Sequence, residues 1–247
     1  MAAYECVLTG KRLHHRSNRA DNDRALQLLE RAIALDPNYG HAHAWRACVL
    51  GQRWGCQWDE RARLEPLIVA ELETALALDD NDSDVHRILA AVNLVQDQHE
   101  PCLYHQQRAL SLNPNDDLVV VQQGEILAWH GQGDEGAEWI GKAMKLNPYH
   151  PERFWAHLGR ALFVARRHAQ ALQAARHVRT PDAALQAFMA ACEARLGEVD
   201  AARARVLPLL AAETAFDAAE YRAGLHYRHA ADLEYHLDSL RLAGLAV

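Results

Sequence analysis

A seven-residue segment that returns at a fixed spacing limits the folds open to this chain of 247 residues. The segment stands at 75–81 (ALALDDN), at 109–115 (ALSLNPN) and at 143–149 (AMKLNPY), so each step is 34 residues. An earlier copy at 32–38 (AIALDPN) lies 43 residues before position 75, nine more than the regular step. Such a period is typical of a short structural unit that stacks repeatedly against copies of itself.

The residue types within the segment are those expected at the end of one helix and the turn that follows it. Each copy opens on an alanine, which lets two helices approach closely, and its leucine closes the last helical turn. The proline at 37, 114 and 148 cannot continue a helix and makes the chain turn. In the copy at 75–81, Asp80 replaces the proline, and we expect side-chain to backbone hydrogen bonds to make that turn.

A period of 34 residues is that of the tetratricopeptide repeat, a pair of antiparallel helices. Trp155, Leu158, Gly159 and Leu162, followed by Ala171, are close to the first-helix pattern of that repeat, in which the glycine admits the partner helix. We therefore predict an all-α fold, a right-handed tetratricopeptide solenoid of about six helix pairs plus a C-terminal capping helical segment, forming a single superhelical domain over 1–247. The predicted pairs are 5–35, 39–78, 83–112, 117–146, 151–178 and 182–212, with an irregular insertion at about 53–66 and the cap at about 218–242.

The composition excludes several other classes of protein. Hydrophobic residues make up 50% and charged residues 24% of the chain, as in folded globular proteins. A net charge of -7 argues against nucleic-acid and anionic-membrane binding, since both depend on an excess of Lys and Arg. No apolar run approaches the roughly 20 residues of a membrane span, and the N-terminus shows no export signal. The five scattered cysteines suit free thiols, so we expect a cytoplasmic protein.

The first helix of each predicted pair supplies the concave wall of such a solenoid, and one stretch of that wall is cationic. Arg153, His157 and Arg160 stand at i, i+4 and i+7, on one face of one helix. This stripe beside an apolar patch predicts a site for an acidic, partly apolar protein or peptide. The alternative is that these side chains pair with nearby carboxylates and solvate a face. The remaining predicted contact residues on the concave face are Leu118, Val121, Glu125, Trp129 and Arg87.

The chain shows none of the motifs that would predict catalysis or a resident cofactor. Glycine-rich phosphate loops, nucleophile elbows and HExxH are absent, so we predict a non-catalytic protein with no cofactor and no metal site. Fifteen histidines nevertheless keep a metal-dependent sensor as an alternative. Its ligands would come from His226, His229, Asp232 and His236, or from Cys102 and His105, but neither set has complete ligand spacing.

Residues 143–161, together with the opening 3–10 and the ending 240–245, carry a family resemblance. They resemble the tetratricopeptide region found C-terminal to bacterial class III adenylate or guanylate cyclase domains, and the likeness covers nearly the whole chain. Related regions also occur behind winged-helix DNA-binding domains of bacterial regulators. The resemblance implies an accessory region, while the catalytic domain with its metal-binding aspartates is absent from this chain. It therefore implies no catalytic role for any residue here.

These observations predict a protein–protein interaction or regulatory module of a bacterial signalling protein, associated with a nucleotide cyclase. Its partner would be a protein or peptide, including its own catalytic domain, with no nucleic acid and no membrane bound. Two alternatives remain open. In the first, the chain is a self-association module that dimerises through the 218–242 cap or through Trp54 and Trp58. In the second, it is the repeat region of a winged-helix transcriptional regulator.

Overall fold

The computed structural model describes residues 2–56, 58–211 and 216–246, and all regular structure within them is helical. The all-α prediction is therefore confirmed. The helices form two compact units, Met1–Asn115 and Asp116–Val247. The single domain over 1–247 stays a prediction. No helix in the described ranges is both long and apolar enough to cross a membrane.

Unit 1 consists of three helix pairs, each joined by a short turn. Within each pair the two helices pack along one another, and α3 also packs on α2 and α5. These pairs coincide with the predicted 5–35, 39–78 and 83–112. The helices are α1 (Ala3–His14), α2 (Arg19–Leu35), α3 (Gly40–Gly55), α4 (Arg61–Leu78), α5 (Ser83–Val95) and α6 (His99–Leu112).

Unit 2 contains three further pairs and two additional helices. α9 packs on both α7 and α8, α11 packs on α10, and α14 packs on α11 and α12. The predicted pairs 117–146, 151–178 and 182–212 are found. The last one is seen up to residue 211, the end of the described range 58–211. The helices are α7 (Asp117–Trp129), α8 (Gly133–Leu146), α9 (Arg153–Val164), α10 (His168–Ala175), α11 (Ala183–Arg195), α12 (Val199–Ala211), α13 (Ala218–Ala223) and α14 (Ala230–Ala243).

The recurring segment does what its residue types predict. The alanines at 32, 75, 109 and 143 are all fully buried between helices. Each alanine carbonyl accepts a hydrogen bond of 2.9–3.0 Å from the backbone N–H four residues on, which closes the last helical turn. The Asp79 carboxylate then accepts from the N–H of Asn81 at 2.9 Å, as predicted for the copy without proline. The Asp36 and Asn147 side chains make the same bond two residues on.

Glycines let neighbouring helices of unit 2 approach closely. A Cβ added to Gly124 of α7 would lie 2.5 Å from the Gly136 carbonyl oxygen of α8 and 2.6 Å from the Ile140 side chain. One added to Gly159 of α9 would lie 3.2 Å from the Ala171 carbonyl oxygen of α10. Both pairs therefore pack backbone against backbone, as the predicted role of the glycines requires.

The insertion is less irregular than predicted. Helix α3 continues to Gly55 and α4 begins at Arg61, so most of 53–66 is helical. Pro66 is the sixth residue of α4, so the helix lacks the one hydrogen bond that its N–H would have donated. The connection is held by the Arg53 guanidinium, which donates to Asp59 at 2.6 Å and to Asp23 at 2.7 Å.

The predicted cap at 218–242 also differs from a single amphipathic segment. It contains two helices, α13 and α14, separated by residues 224–229, which have no helical structure. Gly224 ends α13, and His229 is the first residue before α14. The position of the break matters for the candidate site.

Candidate partner-binding site

The predicted cationic stripe lies on α9, where α7 packs beside it. Arg153, His157 and Arg160 all belong to this helix, as predicted. A Glu125 carboxylate oxygen of α7 lies 3.2 Å from Nδ1 of His157 and 3.8 Å from a guanidinium nitrogen of Arg160. Two of the three basic side chains therefore lie against a carboxylate of their own unit.

The charge of Glu125 is maintained by these neighbours. Burial opposes ionisation, but the attraction of His157 and then Arg160 outweighs it and lowers the pKa of Glu125 from 4.5 to about 2. The carboxylate is ionised at neutral pH and offsets part of the positive charge of the stripe.

Trp129, at the end of α7, lies beneath side chains from the C-terminal part of the chain. The Arg160 guanidinium lies 4.2 Å from the centre of the indole ring. Tyr227 and His226 meet the indole edge to face, with ring centroids 4.8 Å and 5.6 Å away. The backbone N–H of Arg228 donates to the Trp129 carbonyl at 2.9 Å. Residues 224–229, which we call the strap, thus cover Trp129, and only 2% of this residue is exposed.

His236 of α14 binds one tyrosine of α13 and one tyrosine of the strap. Its Nδ1 lies 2.9 Å from the Tyr227 hydroxyl and its Nε2 lies 2.9 Å from the Tyr221 hydroxyl. Burial, with a smaller contribution from Arg160, lowers the pKa of His236 from 6.5 to about 3. The neutral imidazole therefore donates to one hydroxyl and accepts from the other.

The other residues of the predicted surface differ in accessibility. Leu118 and Arg153 are half-buried. Val121 is only 4% exposed and, like Trp129, belongs to the interior of unit 2 in this conformation. The predicted apolar patch is therefore largely covered. Val121 is buried by packing within unit 2, and Trp129 is also covered by the strap. That these residues contact a partner stays a prediction.

Arg87, the predicted contact residue in unit 1, is buried in a separate ion cluster. The Asp84 carboxylate accepts from Arg87 Nε at 3.0 Å, from Lys11 Nζ at 3.0 Å and from the Trp45 indole N–H at 2.8 Å. Burial opposes the Asp84 charge, but Arg87, Lys11 and then His41 hold its pKa well below its usual range. Asp84 likewise raises the pKa of Arg87 against the effect of burial. This cluster ties α1, α3 and α5 together.

Asp84 also belongs to a group of potential metal ligands. His41, Asp82 and Asp84 are the one set of three such residues, among those described, whose ligand atoms lie within 4.8 Å of one another. The Lys11 ammonium lies 3.0 Å from Asp84 and 3.4 Å from Nε2 of His41, so a cation of the chain itself already neutralises them. His41 Nδ1 pairs with Asp82 at 2.5 Å.

The histidines considered as metal ligands in the sequence have separate surroundings. His226 packs on Trp129, His236 binds the two tyrosine hydroxyls, and Asp232 pairs with Arg166 at 2.9 Å. Cys102 is fully buried, while His105 lies with its Nδ1 2.9 Å from Nδ1 of His86. Neither predicted alternative assembles as a set of three ligands among the described residues.

Comparison with known proteins gives the fold. No protein-family model and no curated protein matches the chain. Among solved structures, a thermophilic TPR protein from Thermus thermophilus is 18% identical with a TM-score of 0.55, covering 71% of this chain and 89% of that one. PilW, described as a widely conserved type IV pilus biogenesis factor, is 15% identical with a TM-score of 0.58, covering 95% of this chain and 98% of that one.

A third similar structure is the APC/C hetero-tetramer Cut9–Hcn1, at 13% identity and a TM-score of 0.63. The match covers 96% of this chain and 46% of the other. The chain has the tetratricopeptide fold. At these identities the similarity shows the fold alone. The partners of those proteins are therefore not assigned to this chain.

The ion cluster around Glu125 gives unit 2 a dependence on acid. Because folding lowers the pKa of Glu125, its contribution to stability is complete above about pH 5 and is lost as the pH falls from 4.5 towards 2. We expect Glu125→Gln to lower the free energy of unfolding by roughly 2 kcal/mol at pH 7 and by much less at pH 3. Urea unfolding followed by circular dichroism at both pH values measures this difference.

Glu138→Gln is the matched control, since Glu138 is an exposed glutamate of α8 in the same unit. It should change stability by less than about 0.5 kcal/mol at either pH. An equal loss for the Glu125 variant at pH 3 and pH 7 would mean that its carboxylate charge does not stabilise the fold.

Proposed function

We propose that the chain is a protein-interaction module that binds an acidic peptide or protein segment on the α7–α9 face of unit 2. The observation that carries this proposal is the helix face on which Arg153, His157 and Arg160 lie beside half-buried Leu118. Two arginines lie on this helix face beside the single carboxylate of Glu125, while the chain as a whole has a net charge of -7. A segment with carboxylates is therefore the partner that its electrostatics favour.

The fold supports a binding role for this face. Stacked helix pairs present an extended surface built by the first helix of each pair, and such surfaces bind other proteins. One structure of similar fold, Cut9–Hcn1, is a hetero-tetramer, and another, PilW, is named as a biogenesis factor of a pilus. Both names agree with a chain that works by contact with other proteins, although each describes its own protein.

We further propose that the partner belongs to a bacterial nucleotide-cyclase signalling protein. This rests on the resemblance of residues 143–161, with the opening 3–10 and the ending 240–245, to the repeat region that follows class III cyclase domains. In this role the chain is the non-catalytic arm and presents the α9 face to the catalytic domain or to a protein that regulates it. The same face serves both proposals, so one variant tests them together.

Arg153→Glu is expected to weaken partner binding at least tenfold, because it reverses a charge at the start of the stripe. Two probes measure this: a random 12-residue phage-displayed peptide library and the purified catalytic domain of a bacterial class III cyclase. The wild-type chain should enrich peptides rich in Asp and Glu and should bind the catalytic domain in calorimetry. A glutamate in the first turn of α9 also suits the helix dipole, so folding should be unaffected.

Lys142→Glu is the charge-matched control, since Lys142 is exposed on α8 of the same unit. It should bind both probes like the wild type. No enrichment of acidic peptides, or equal binding by the Arg153 and Lys142 variants, would reject the α9 face. Peptide binding without binding to the catalytic domain would reject the cyclase partner and retain the interaction module.

A further inference from the structure

The strap buries little of its own surface on unit 2, with Leu225 and His226 half-buried. Of residues 224–229, only Tyr227 is buried, while Arg228 and His229 are exposed. The preceding helix, α13, is six residues long and has no buried residue. Segments with so little buried surface open at a small fraction of the global unfolding free energy. The helix that follows, α14, is anchored on α11 and α12 independently of the strap.

The strap also leaves the side chains around it without good hydrogen-bond and ion-pair partners. Trp129 is only 2% exposed, yet its indole N–H has no acceptor among the described residues. A buried donor without an acceptor destabilises the conformation that contains it. The ion pair of Arg160 with Glu125 is long, at 3.8 Å. A segment that brought an acceptor to Trp129 and a carboxylate to Arg160 would correct both defects.

We propose that the strap is an internal competitor that occupies a docking site made of Trp129, Arg160 and Glu125, and that an acidic segment with an aromatic residue displaces it. The inference rests on the proposed interaction function and adds its regulation. Tyr227 shows which side chain the site accepts: an aromatic ring edge to face on the indole, 4.8 Å from its centre. The Arg228 N–H bond to the Trp129 carbonyl shows that an extended backbone fits beside that ring.

The chemistry of the partner follows from what the strap lacks. The strap carries Arg228 and two histidines but no carboxylate, although it packs on the same indole ring as the Arg160 guanidinium. An incoming segment with glutamates on both sides of a tyrosine can place a carboxylate closer to Arg160 than Glu125, which lies 3.8 Å away. It also replaces the ring of Tyr227. Charged hydrogen bonds of this kind are the stronger ones in a partly buried site.

The probe is a fluorescein-labelled synthetic peptide, Ala-Glu-Tyr-Glu-Ala, and the readout is fluorescence anisotropy with the full-length chain. Tyr227→Ala removes the buried side chain of the strap and should bind the peptide at least tenfold more tightly than the wild type. Adding Arg160→Gln to that variant should remove most of the gain. A peptide with alanine in place of tyrosine should show no gain.

Tyr149→Ala is the matched control, because Tyr149 is 95% exposed in the same unit and should leave the affinity at the wild-type value. Tyr227→Phe keeps the ring and removes only the hydroxyl bond to His236, so it should fold even where the alanine variant does not. Its expected gain is about threefold. A folded alanine variant with wild-type affinity, or a phenylalanine variant without any gain when the alanine variant is unfolded, would overturn the proposal.

Failure of this proposal and failure of the proposed function give different results. If Arg153→Glu leaves library and cyclase binding unchanged while Tyr227→Ala gains affinity for the peptide, the α9 face is rejected and the strap proposal is supported. If the library selects acidic peptides through Arg153 but Tyr227→Ala gains nothing, the interaction function is supported and the strap is a fixed connection.

Discussion

Gly124→Ala should lower the free energy of unfolding by about 3 kcal/mol, which corresponds to a melting temperature roughly 6–12 °C lower. The added Cβ would lie 2.5 Å from the Gly136 carbonyl oxygen, 2.6 Å from the Ile140 side chain and 3.0 Å from the Ile140 nitrogen. Two of these three neighbours are backbone atoms, so α7 and α8 must separate to admit a methyl group. Thermal melting followed by circular dichroism measures the effect.

Gly141→Ala gives the opposite sign and is the control for this experiment. Gly141 lies in the interior of α8, and a Cβ added there would meet nothing within 4 Å. The substitution should raise stability by about 1 kcal/mol, since alanine favours the helix more than glycine does. Similar changes in melting temperature for the two variants would show that close backbone approach is not what Gly124 provides.

Asp84→Ala should destabilise unit 1 by about 3–5 kcal/mol, because it leaves Lys11 and Arg87 without their shared carboxylate in a buried place. It also removes the acceptor of the Trp45 indole N–H. Urea unfolding at pH 7 measures the loss. Glu73→Ala, an exposed acidic residue of α4 in the same unit, should cost less than about 0.5 kcal/mol.

A second comparison separates two effects. One is the cost of leaving Lys11 and Arg87 without their carboxylate, and the other is the stability that the complete cluster contributes. Replacing Asp84 by leucine and both Lys11 and Arg87 by methionine removes all three charges together. Because buried ion pairs are often exchanged for apolar side chains at little cost, this triple variant should be more stable than Asp84→Ala alone. If Asp84→Ala unfolds no more easily than Glu73→Ala, the cluster does not stabilise unit 1.

The repeated segment made the fold predictable because it combines local signals that act within a few residues. A small residue, a closing leucine and a turn residue recur at one spacing, and the buried Ala75 and Ala109 confirm their interpretation. The insertion was predicted less well, because there the local signals did not decide the structure. Glycine and proline commonly interrupt helices, but Gly51 and Pro66 lie inside α3 and α4, because helical packing overrides these local preferences.

The candidate site depends on contacts that no local pattern contains. Tyr227 lies 98 residues after Trp129 in the chain, and Lys11 lies 73 residues before Asp84. Spacing placed Arg153, His157 and Arg160 on one helix face, since that is a property of the helix alone. Their pairing with Glu125 and the cover over Trp129 arise from tertiary packing, which the sequence of one chain does not record.

The turn at the end of each repeat has a consequence for how such a chain changes over generations. Each turn is closed by its own alanine carbonyl, and three of the four also by their own Asp or Asn side chain, so no distant residue is needed to make them. Extra residues in the second pair lengthened α3 and α4, which have 16 and 18 residues against 13 and 14 in the next pair, and left that turn intact. A gene encoding such turns can gain, lose or extend a whole hairpin by duplication or slippage without a new connection having to evolve first.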